Sequence, residues 1–266
     1  MSTLPANTAN VLRRAAFGSN PDVWPLPPAD TAYEVWLRAV VAGGQGRYAS
    51  ALADLDRLRH CAGPDALASL ALSTRASFLR QLGWHEVARV WDGRAAALAD
   101  TDEALSDAMI GLAADALGVG RFAASARALE LAAERVGDSG SDRLPIRLAW
   151  VSAELAMFRG DGAAAVAPAE RAVSLSTDFG SVRHAVKSRV VLAAALCSAG
   201  DLPSARREGE AALNQAHGSG LGPLQWAAAS LLADIADDAT SASRYQALRD
   251  ESAETVIRWG GVWRPR

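Results

Sequence analysis

"GQGRYASALADLDRL", residues 44–58, is the stretch whose reading decides the fold. It sets a glycine, an aromatic and small residues just ahead of a leucine-bearing run. Its core, GRYASA from Gly46, returns as GWHEVA from Gly83, GRFAAS from Gly120, GDGAAA from Gly160 and GDLPSA from Gly200. A weaker copy, DATSA, follows Asp237. The steps are 37, 37, 40, 40 and 37 residues. Five residues after each start stands a small residue: Ala51, Ala88, Ser125, Ala165, Ala205 and Ala242. Seven residues before each start stands another: Ala39, Ala76, Ala113, Ala153, Ala193 and Ser230.

The pattern has a direct physical reading. A glycine takes the left-handed conformation without steric cost, so it ends one helix. Asp161 and Asp201 stand where they can cap the next. Two helices approach closely only where their facing side chains are small, since contact size sets the interaxial distance. Each copy therefore reads as a helix, a tight turn and a helix returning beside it. Tyr48 and Phe122 are placed to fill the joint between such hairpins. First helices are expected near 31–42, 65–82, 102–118, 142–159, 180–199 and 223–236. Second helices are expected near 47–61, 84–98, 121–136, 161–177, 201–216 and 239–258. TAYE at Thr31–Glu34 is a capping-box pattern, Pro64 suits a helix entrance, and Pro168 falls inside a second helix that it is expected to kink.

This pattern resembles the tetratricopeptide repeat family over about residues 31–258. The family repeat is ~34 residues; the longer step here is similar to helical arrays of some bacterial transcriptional regulators. The resemblance implies an all-α fold, a right-handed α-solenoid of about six antiparallel helical hairpins. It divides the chain into a loosely ordered segment over 1–30, the repeat domain over 31–258 and a tail over 259–266. A short helix is expected around Val11 to Phe17. The expected particle is elongated and curved.

Composition narrows the function. Half of the 266 residues are apolar and the formal charge is −3. Neither half of the chain is basic, so nucleic-acid binding is not expected. Arg13 and Arg14 precede Gly18, Ser19, Asn20 and Pro21 rather than an apolar run, so no signal peptide and no membrane span are expected. The expected location is the cytoplasm. Cys61 and Cys197, the only two cysteines, make no disulfide framework and are expected to be free thiols.

Several strings imitate catalytic or recognition motifs. GDSG at Gly137–Gly140 and DFG at Asp178–Gly180 lack the rest of their families' elements. RGD at Arg159–Asp161 falls on a turn between helices. GVGRFA from Gly118 follows a helix, where a dinucleotide loop needs a strand. His60, His85, His184 and His217 have no metal-ligand spacing, so no metal and no cofactor are expected. The chain reads as a non-enzyme.

In the resembled family, first helices line a concave groove that holds a peptide. Transferred by register, that face gives Tyr33, Trp36 and Val40, then Leu70, Ser73, Ser77 and Arg80, then Asp107, Ile110, Ala114 and Leu117. It continues with Arg147, Trp150, Glu154 and Met157, then Lys187, Val190, Ala194 and Cys197, and last Leu224, Leu231 and Asp234. Of these, Tyr33, Trp36, Arg80, Arg147, Trp150, Glu154 and Lys187 are the candidate peptide-binding residues. Aromatics and arginines are frequent interface anchors. Trp36 and Trp150 also suit packing between repeats. The implied function is an adaptor for a protein partner. The alternative is a sensing module that closes on a peptide or small ligand and acts through a partner protein. The ending RWGGVWRPR reads either as a cap on the last hairpin or as a docking peptide anchored by Trp263.

Overall fold

The computed structural model describes residues 8–61 and 66–265. Pro64 and the side chains of His60 and Cys61 lie outside the described set. Within it the chain is all α-helix: α1 Thr8–Phe17, α2 Ala32–Gly44, α3 Tyr48–Cys61, α4 Ala66–Gln81, α5 His85–Leu98, α6 Asp102–Gly118 and α7 Phe122–Val136. Then follow α8 Arg143–Phe158, α9 Gly162–Phe179, α10 Val182–Ser198, α11 Leu202–Gly218, α12 Gly222–Ile235 and α13 Ala239–Arg258. No described helix is long and apolar enough to cross a membrane.

The turns form as the sequence requires. Gly46 and Gly200 both sit at φ 86°, a region closed to most side chains, and the three equivalent turn glycines behave alike. Asp161 accepts from the Ala164 N–H at 3.0 Å and Asp201 from the Ser204 N–H at 3.1 Å, so each caps its helix. Thr31 and Glu34 form the reciprocal capping box that begins α2. α9 runs on through Pro168.

Each helix after α1 packs on its neighbour in pairs, α2 with α3 through α12 with α13. The small positions lie at these contacts. Ala39, Ala51, Ala76, Ala88, Ala113, Ser125, Ala153, Ala165, Ala193 and Ala205 are all fully buried. In the last, divergent pair, Ser230 and Ala242 are only half-buried. Tyr48 is buried and meets Phe78 edge-on at 5.5 Å, joining the first pair to the second. The arrangement is that of a helical repeat solenoid.

First helices also pack on the next first helix, α2 on α4 through α10 on α12, whereas successive second helices do so hardly at all. The stack thus curves toward its first helices, which line the inner face. Two identical devices tie that layer together. The Trp36 indole N–H donates to Thr74 Oγ1 at 2.9 Å, and the Trp150 indole N–H donates to Ser188 Oγ at 2.8 Å.

The expected elongated arc is not what forms, because the two ends of the stack meet. The Ala49 N–H donates to the Trp259 carbonyl at 2.9 Å. The Arg264 N–H donates to the Leu82 carbonyl at 2.9 Å, and the Trp84 indole N–H to the Val262 carbonyl at 2.7 Å. Trp263 lies against Trp226 with ring centroids 4.7 Å apart. Arg47 is held between the rings of Trp24 and Trp259, at 4.1 and 4.0 Å. These contacts join the last pair and the tail to the first and second pairs. Successive pairs rotate enough to bring the chain round on itself, a property of many small angles that no short stretch of sequence displays.

Candidate functional site

The inner face begins with α1. Leu12, Ala15 and Ala16 are buried in one cluster with residues of α2. Phe17 reaches across the interior to Trp36 at 5.6 Å and His184 at 6.2 Å. The Gly18 carbonyl accepts from the Val182 N–H at 3.1 Å, and Gln45 donates to the Pro21 and Val23 carbonyls. The segment expected to be loosely ordered thus supplies, from residue 8 onward, a helix and a strap that link α2 to α10. Trp36 retains only 4% exposure beneath it, while Tyr33, at 37%, stays at the rim with Arg13 over its ring.

Below Phe17 runs a row of arginines. Arg80 of α4 pairs with Asp92 of α5 and, at 3.0 Å, with Asp115 of α6. Both carboxylates are fully buried. Burial pushes Asp92 up to about 7, Arg80 pulls it back, and Asp115 adds to the rise. Asp115 is also raised, again chiefly by burial. Arg147 of α8 pairs with Asp107 of α6, which also takes Arg143 at 3.1 Å; Arg143 reaches Glu103 at 3.2 Å. Burial, with Arg80 nearby, lowers Arg147 to about 9.

His184 stacks on Trp150 at 5.4 Å and its Nδ1 lies 2.8 Å from the Ser181 hydroxyl. Burial, followed by the fields of Arg183, Arg143 and Arg147, holds its pKa well below the usual histidine range, so the ring is neutral.

Further along the same face, Lys187 pairs with Glu154 at 2.9 Å and stands 5.8 Å over the Trp150 ring. Beside them opens a cleft of about 440 Å³ between α8 and α10. It is lined by Glu154, Met157, Phe158, Lys187, Val190, Val191, Ala194 and Ser198. Phe158 is 61% exposed at its edge.

The seven candidate residues therefore fall into two groups. Trp36, Arg80, Arg147 and Trp150 hold neighbouring elements together through the bonds above. Tyr33, Glu154 and Lys187 stand at accessible edges, the last two on the cleft. The register reading did not find Phe17, Asp92, Arg143, Arg183 or His184. One signal for Asp92 was present: Gly111 stands in the middle of α6, where a Cβ would lie 2.3 Å from Asp92 Oδ2. No family model matches the chain, and no curated protein matches it by sequence.

Proposed function

We propose that the chain is a non-catalytic interaction module, an adaptor that holds a segment of a protein partner in its concave groove. One observation carries this reading. Glu154, Met157, Lys187, Val190 and Ala194, selected by helical register, line a single open cleft beside an exposed Phe158. An apolar cleft rimmed by a few polar groups is the usual form of a binding site. On this reading the helix pairs are six antiparallel hairpins of a right-handed, tetratricopeptide-like solenoid. The protein acts without a cofactor in a bacterial cytoplasm.

A second reading, a sensing module that encloses a peptide or small ligand, draws support from the meeting of the two ends. That contact narrows the groove toward a chamber. Ala194→Glu, which places a charge in the cleft, tests both. Wild type and variant, matched for helicity and melting temperature, serve as bait in lysate of the native host. The adaptor reading expects a stoichiometric protein that wild type retains and the variant loses. A small molecule released from purified wild type on denaturation, with no protein partner, supports sensing. Equal retention of the partner by both forms overturns the cleft as the site.

A further inference from the structure

We propose that the inner face carries a carboxylate-binding subsite centred on Arg183. Arg183 lies in the first turn of α10, and its side chain passes between Gly44, the last residue of α2, and the Phe17 ring. A Cβ at Gly44 would stand 3.0 Å from Arg183 Cδ, so the arginine uses the room that this glycine leaves. The Nε is shut off from solvent and has no hydrogen-bond partner. The residue as a whole is half-buried, and its two terminal nitrogens are not shut off from solvent as Nε is.

The charge around it is unbalanced. Among the described residues, Arg80, Arg143 and Arg147 each have a carboxylate partner, and Arg183 has none. At this end of the row three guanidiniums, Arg143, Arg147 and Arg183, face two carboxylates, Asp107 and Glu103. Burial and the neighbouring Arg143 both work against the Arg183 charge and lower its pKa to about 10. His184 beside it is neutral and supplies no negative charge. An uncompensated, partly buried cation is costly unless an anion completes it.

The chemistry selects the anion. One unpaired guanidinium offers a planar fork that matches a planar, singly charged carboxylate through two parallel bonds. A phosphate dianion would overcompensate a single free charge. The carboxylate can come from a free small acid or from a bound segment. In the second form the inference rests on the groove reading above; in the first it does not.

The test uses thermal unfolding of the full chain in 100 mM sodium acetate against 100 mM sodium chloride, at one pH. For a site with a Kd of about 10 mM, acetate raises the wild-type Tm by roughly 2–4 °C over chloride. Arg183→Met abolishes that increment, and in chloride it melts no lower than wild type, because an unpaired charge has been removed. Arg183→Lys keeps the charge but loses the fork, and shows less than half of the increment; it serves if the methionine variant does not fold. Identical wild-type Tm in the two salts overturns the subsite, as does an undiminished increment in either variant. N-acetylated tetra-alanine and its C-terminal amide separate the two sources. Stabilisation by the acid beyond that of equimolar acetate, with none by the amide, assigns the site to a bound segment. Acetate and acid acting equally assign it to a free small carboxylate, which leaves the subsite standing without the groove reading.

Discussion

At Asp92 a carboxylate lies wholly inside the molecule, against one arginine and a second carboxylate. That geometry fixes a pH dependence. The folded pKa of Asp92, about 7, and that of Asp115 both lie above the ordinary aspartate value. The folded chain therefore holds protons that the unfolded chain releases, and stability falls as pH rises from about 4 toward 7. Above that window the loss is complete. Thermal unfolding from pH 5 to pH 8 should show a falling Tm, because this pair withdraws about 1 kcal/mol or more of stability over that range. Asp92→Asn should flatten the slope and raise the Tm at pH 8; an unchanged slope would remove the pair as its cause. Arg80→Met should be far more damaging, roughly 3–5 kcal/mol, because it leaves two buried carboxylates without their cation. Urea titration at pH 7.5 measures that loss, and a change under 1 kcal/mol would mean that the aspartates are solvated.

At the scale of the helix, the fold rests on small residues at close approaches. Ala153 of α8 and Ala165 of α9 are both fully buried within one pair. Leucine at either position should overpack the pair and cost about 1–3 kcal/mol. Leucine at Ala163, exposed on the same helix α9, should change little. Equal effects at all three sites, read from thermal melts, would reject this packing. Trp150→Phe should cost roughly 0.5–1.5 kcal/mol through the lost bond to Ser188. The elements were legible because their signals are local. Capping residues, turn glycines and small positions recur in register, and all twelve described helices after α1 end within two residues of their expected limits. Five of the eight residues that line the cleft were legible too, since helical register alone reaches Glu154, Met157, Lys187, Val190 and Ala194. What stayed hidden depends on distant partners. Phe17 meets His184, and Arg80 meets Asp115 of the next helix pair, pairings that no spacing within the chain announces.

For the whole molecule, the ends decide the shape of the groove. Deleting residues 262–266 removes Trp263 from Trp226 and both bonds to the second pair. The half-buried indole alone stands for about 1–2 kcal/mol, so the truncated chain should melt lower and scatter as a more open particle. A stack whose ends meet presents an enclosed inner face, which carries both α1 and the cleft between α8 and α10. An open arc would present that face to solvent along its length. The amide of Arg264 distinguishes the two most directly. In the closed form its N–H donates to the Leu82 carbonyl across the junction, so hydrogen exchange of this amide should be slowed at least tenfold relative to an unstructured tail. Exchange at the unstructured rate, with the helices still protected, would contradict closure and return the protein to an open solenoid.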